Sequence, residues 1–142
     1  GAIFLKNKTE FNEPMDAIVY GTVISLGFAT LENFEYVYIP TGDSSLDIAM
    51  LRSMTAIPLH ASCGIIMGYF FGRYVFSGSK LFLANSLILP MLFHCLYNFL
   101  CGYFPVLVPA LLLLLFRYCY LLHGAFMREQ QLKVTESEQK LG

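Results

Sequence analysis

Val106-Leu107-Val108-Pro109-Ala110-Leu111-Leu112-Leu113-Leu114-Leu115-Phe116 is apolar at every position. A helix on the surface of a water-soluble domain carries an apolar stripe on one face. A segment apolar all round is instead enclosed on every side or lies in lipid. The surrounding composition decides for lipid. The chain of 142 residues is 56% hydrophobic and 13% charged, against roughly half and about a quarter in an ordinary soluble domain. Its charges are clustered, which leaves four stretches of about the 20 residues that a helix needs to cross a bilayer. These are Asp16–Ile39, Leu46–Phe76, Leu81–Tyr103 and Val106–Met127. The second is longer than a bilayer requires, so its first turns project or tilt. The reading is an all-α, polytopic transmembrane helix bundle.

Gly1-Ala2-Ile3-Phe4-Leu5 adds the apolar tail of a preceding helix, stopped by Lys6 and Lys8. It has no basic start or small-residue cleavage site, so it is not read as a signal peptide. The expectation is a C-terminal piece of a longer protein, with residues 1–128 a transmembrane core and residues 129–142 a polar cytoplasmic tail.

Lys and Arg give the orientation. If the spans alternate, Lys6, Lys8, Arg73, Lys80, Arg128, Lys133 and Lys140 share one side, and Arg52 stands on the other beside Asp43 and Asp47. The positive-inside rule then predicts a multi-pass cell-membrane protein with a cytoplasmic C-terminus and the Thr41–Asp47 loop outside.

Against this apolar background the ionisable residues stand out, because such groups are expensive in hydrocarbon and mark function. Glu32 lies in the first span, His60 in the second and His94 in the third, with Asn98 one turn beyond His94. At 1.5 Å rise per residue, Glu32 and His94 each fall about two turns from the outer end of their span. His60 reaches the same depth if its long helix starts above the membrane. Each also shares a face with small or polar residues at spacing four. The stripes are Gly21, Ser25, Phe28 and Glu32, then Ala56, His60, Gly64, Gly68 and Gly72, then Pro90, His94 and Asn98. Small residues at that spacing let membrane helices approach closely.

Two chemical arrangements fit these four side chains. In one, Glu32 or another carboxylate activates water with help from His60, while His94 and Asn98 donate to the oxyanion of a tetrahedral intermediate. In the other, His60, His94 and Glu32 hold a zinc ion. No HExxH zinc helix is present, and the cofactor stays open between none and zinc. A third use of two histidines on neighbouring helices is axial ligation of a haem. The bland reading makes each histidine a buried group hydrogen-bonded to a backbone carbonyl or a neighbouring side chain. Arg52 is read as an interfacial anchor or as a partner for Glu32 or Glu35, and Asp16 as a cap of the first span. Cys63, Cys95, Cys101 and Cys119 have no zinc-type spacing and read as small apolar fillers. With no basic patch or stacking platform, nucleic acid is not an expected partner.

The motifs occur in an order that resembles the core of the PrsW family of intramembrane proteases. Phe11-Asn12-Glu13-Pro14-Met15-Asp16-Ala17-Ile18-Val19-Tyr20-Gly21 leads into Gly27-Phe28-Ala29-x-x-Glu32-Asn33-x-x-Tyr36. Arg52-x5-Pro58-x-His60 and His94-x-x-Tyr97-Asn98 follow. The resemblance covers about Glu10 to Leu100. It implies catalytic roles for Glu32, His60, His94 and Asn98, and cleavage of a membrane-anchored protein, such as an anti-sigma factor, near the outer face. The family also has a Glu-Glu-x-x-Lys helix, which Gly1–Glu10 does not match and which is thought to carry the principal base. The alternative is therefore a non-catalytic relative that binds or protects, as immunity proteins of the wider superfamily do.

Overall fold

The computed structural model describes residues 14–38 and 45–139. Four long helices account for nearly all of them: α1 (Pro14–Tyr38), α2 (Ser45–Ser77), α3 (Lys80–Tyr103) and α4 (Val108–Gln139). A single 3-10 turn, Pro105–Leu107, joins α3 to α4. No strand occurs among the described residues. The segments long and apolar enough to cross a membrane are Met15–Glu35, Met50–Ser77, Lys80–Tyr103 and Pro105–Glu129. They match the four expected spans to within a few residues, and the protein is a polytopic all-α membrane bundle. The expected tail of a preceding helix at Gly1–Leu5 and most of the Thr41–Asp47 loop lie outside the described residues.

The turns are local chemistry. Gly78 has φ +73°, a left-handed conformation that costs glycine nothing. Its N–H donates to the Tyr74 carbonyl at 2.8 Å and closes the end of α2, so α3 begins two residues later and runs antiparallel. At the other end of α3 the Phe104 N–H donates to the Leu100 carbonyl at 2.8 Å. Pro105 then opens the 3-10 turn, where its missing N–H is not needed.

α2 is the central helix, packing against α1, α3 and α4. Against α1 the contact is backbone to backbone. A Cβ placed on Gly64 would sit 2.6 Å from Thr22 Cα, and one on Gly21 would sit 2.7 Å from the Gly64 carbonyl oxygen. One on Gly68 would strike the Ala17 carbonyl. The small-residue stripe thus does what its spacing suggests. Against α3 and α4 the core is side-chain packing of Ala56, Leu59, Ile66, Tyr97, Leu111 and Leu115. In the five-leucine run, Leu111, Leu112 and Leu115 are buried, while Leu113 and Leu114 are about two-thirds exposed. That pattern suits a helix with one face on protein and one in lipid.

Some expectations change in detail. Cys63 and Cys119 are buried, but Cys95 and Cys101 are exposed, so only the first pair fills the interior. Their thiols bridge helices, Cys63 to the Pro90 carbonyl and Cys119 to the Ser62 carbonyl, both at 3.6 Å. Asp16 lies inside the first turn of α1, with Pro14 at the start of the helix. There its carboxylate faces the positive end of the helix dipole, as expected of it. Past the expected end of the fourth span, α4 continues without a break to Gln139. Its Glu, Gln, Leu and Lys residues are good helix formers, so the polar segment prolongs the helix as far as the structure describes it.

Candidate active site

α2 packs against both α1 and α3, and the three helices together line a cavity of about 780 Å³. Ser25, Phe28 and Glu32 line it from α1, His60 and Met67 from α2, and His94 from α3. The walls are mostly apolar, and the polar groups converge at one place.

Glu32 is the centre of that convergence. His60 Nε2 lies 2.9 Å from Glu32 Oε2, and Arg52 Nη2 lies 3.1 Å from the same oxygen. His94 Nε2 lies 3.7 Å from the other oxygen, Oε1. The two imidazoles stand edge to face, with ring centroids 5.0 Å apart. The backbone holds His60 from behind, since Ser25 donates to the His60 carbonyl at 2.6 Å. That bond locks α1 to α2 about two helical turns from Glu32 on α1, and both its residues sit on the predicted stripes.

The three expected residues Glu32, His60 and His94 are therefore together, although 62 positions separate the first from the last. Asn98 is placed differently. It is exposed on α3, outside the cavity lining. Arg52 pairs with Glu32, the second of the two roles considered for it. Asn33 was given no role by the motif reading, yet its Oδ1 accepts a hydrogen bond from Arg52 Nε at 2.8 Å. The available signal was a lone arginine on a side of the membrane otherwise poor in cations, facing a carboxylate and an amide at adjacent positions. A second link missed from sequence joins Thr55 Oγ1 and the Tyr97 hydroxyl at 2.9 Å. It ties α2 to α3 beside the cluster.

Two features of this arrangement suit a metal ion. One ligand atom each from Glu32, His60 and His94 lies within 4.8 Å of the others. His94 Nε2 is buried with no hydrogen-bond partner, a costly state for an imidazole nitrogen unless a ligand takes it up. Two histidines and a carboxylate are also a donor set used by catalytic zinc. A haem does not fit. Axial ligands must stand on opposite faces of a flat macrocycle, and rings in edge contact at 5.0 Å leave no room for one.

A family model described as PrsW family intramembrane metalloprotease matches residues 2–123, most of the chain. The chain belongs to the PrsW family. Among curated PrsW relatives, "Protease PrsW" of Clostridioides difficile (strain 630) is 33% identical over 100 residues, covering 68% of this chain and 42% of the relative. "Protease PrsW" of Bacillus subtilis (strain 168) is 40% identical over 93 residues, 63% and 41% of the two chains. "Protease PrsW" of Geobacillus kaustophilus (strain HTA426) is 37% identical over 99 residues, 68% and 42%. The chain thus spans about two-fifths of the length of these PrsW relatives. No solved structure matches it significantly.

Proposed function

We propose that this chain forms the histidine-bearing part of an intramembrane endopeptidase that hydrolyses a membrane-anchored protein near the outer membrane face. The carrying observation is the meeting of Glu32, His60 and His94 at one end of a largely apolar cavity between membrane-spanning helices. Peptide hydrolysis needs water, a base and a group to stabilise the oxyanion. An apolar cavity admits a hydrophobic substrate segment and strengthens the electrostatics of the few polar groups in it.

The residues take these roles. Glu32 accepts a proton from water as the water oxygen bonds to the scissile carbonyl carbon, and passes that proton to the departing amine nitrogen as the C–N bond breaks. His60, in contact with Glu32 Oε2, orients the carboxylate. His94 lines the cavity and has a buried Nε2 without a hydrogen-bond partner; its imidazole stabilises charge on the carbonyl oxygen. If the metal arrangement operates, Glu32, His60 and His94 hold the ion, and a second carboxylate serves as base. The chemistry such an ion supplies is Lewis-acid polarisation of a carbonyl and acidification of water. Asn98 joins either arrangement only by turning towards His94 from its exposed position.

The positive residues at the Arg73 end of the bundle support a cytoplasmic position for that end and an outward position for the cluster. A regulated membrane substrate such as an anti-sigma factor is consistent with that placement. The test is cleavage of a membrane-anchored reporter by the full protein. Glu32→Gln and His94→Ala should each abolish it at unchanged expression, and undiminished cleavage by both variants refutes the proposal.

A further inference from the structure

Arg52 stands two turns before His60 on α2, and its side chain is only 13% exposed. A guanidinium drawn in this far needs partners, and it is held at two points of its rigid fork. Nε donates to Asn33 Oδ1 at 2.8 Å, while Nη2 reaches Glu32 Oε2 at 3.1 Å. Asn33 and Glu32 are neighbours on α1, so their side chains diverge by about 100° around the helix. The fork spans that divergence.

The consequence lies at the carboxylate. Arg52 and His60 approach the same oxygen, Oε2, from separate parts of α2, and neither of those contacts uses Oε1. With Oε2 fixed twice, Oε1 is turned to His94 Nε2. We propose that Arg52, itself fixed by Asn33, is a positioning residue that holds Glu32 by one oxygen and presents the other to His94 and the cavity. The role in turnover rests on the hydrolytic reading of Glu32; the geometric role does not.

An interfacial anchor would look different under substitution. Lysine anchors as well as arginine at a membrane boundary. Its ammonium is a point charge that cannot hold Asn33 and Glu32 in one planar geometry. Arg52→Lys therefore separates the two roles. In the full protein cleaving a membrane-anchored reporter, Arg52→Lys should lower kcat about 10- to 100-fold, the usual effect of removing an outer partner of a site residue. KM should change little. Asn33→Ala should give the same loss, and the double variant should be no worse than either single one, since both break one link.

An independent readout is the ring-nitrogen spectrum of 15N-histidine in the metal-free chain in detergent micelles. Arg52→Lys and Asn33→Ala should both move the His60 Nε2 resonance towards its position in Glu32→Gln, while Arg117→Lys on α4 should not. Wild-type turnover with an unmoved His60 resonance in Arg52→Lys overturns the proposal and leaves Arg52 an anchor. If the wild-type protein itself fails to cleave, the hydrolytic reading falls, and the His60 resonance still decides whether Arg52 holds Glu32.

Discussion

His94 Nε2 stops 3.7 Å short of Glu32 Oε1, too far for a hydrogen bond and close enough for one further atom to contact both. The same carboxylate is already engaged at 2.9 Å by His60 through its other oxygen. The two histidines are therefore not equivalent: one is satisfied by Glu32 and the other, also in the cavity wall, keeps a buried nitrogen without a hydrogen bond.

Loss of that nitrogen should be felt in chemistry more than in folding. His94→Ala and Glu32→Gln are expected to lower reporter cleavage by about 10²–10⁴-fold, the range for removing an acid–base group. Membrane insertion and expression should hold, as judged by immunoblot of the membrane fraction. Asn98→Ala should have the smaller effect, because Asn98 lies outside the cavity. If Glu32, His60 and His94 can be substituted together with full biological activity, the protein is a non-catalytic relative.

Metal content distinguishes the two arrangements of the cluster. If zinc is held, elemental analysis of purified wild-type protein should find it at one per chain, and His60→Ala or His94→Ala should lose it. A chelator should then stop cleavage and added zinc restore it. Metal-free protein that cleaves at full rate would establish the carboxylate–histidine arrangement instead.

The α1–α2 contact has no room for a side chain. Gly64→Leu should cost about 1–3 kcal/mol or more through overpacking, because its Cβ alone would fall 2.6 Å from Thr22 Cα. Gly27→Ala on the same α1 helix meets nothing within 4 Å and should be neutral or slightly stabilising. Thermal unfolding in one detergent reads both, and equal effects would mean that the close approach is not what holds α1.

At the opposite end of the bundle Arg73 pairs with Glu129 at 2.6 Å and lies over the Phe82 ring, 5.1 Å from its centroid. Both partners are exposed enough for solvent to screen the pair, so Glu129→Gln should cost less than about 1 kcal/mol. Arg73→Ala should cost more, because its stem and guanidinium also cover Tyr69 and Phe82. A smaller loss for Arg73→Ala than for Glu129→Gln would show that the ring contacts contribute nothing.

Topology is testable without activity. A C-terminal fluorescent fusion should be bright and a C-terminal alkaline phosphatase fusion inactive if the α4 end is cytoplasmic. The reverse result would put the Glu32 cluster on the inner side.

Most of the architecture was legible because membranes leave few solutions. Every backbone group must be satisfied within the helix, so apolar length alone specified the four helices and their approximate ends. The glycine stripe of α2 was legible as well, since only small residues at spacing four permit the approach seen at Gly64 and Gly68. Periodicity could also assign Glu32, His60 and His94 to inward faces. It could not tell that Asn98, on the same expected stripe as His94, points out of the cavity, because four residues advance a helix by 40° more than a full turn.

By itself, then, the sequence determined a four-span helical bundle, the close α1–α2 seam and the three ionisable residues that belong inside. Those are consequences of composition and local spacing. Only the tertiary structure decided that His60 and Arg52 share one oxygen of Glu32, that Asn33 fixes the arginine, and that His94 keeps a free nitrogen. Those relations depend on the relative depth and rotation of three helices, which no single helix encodes.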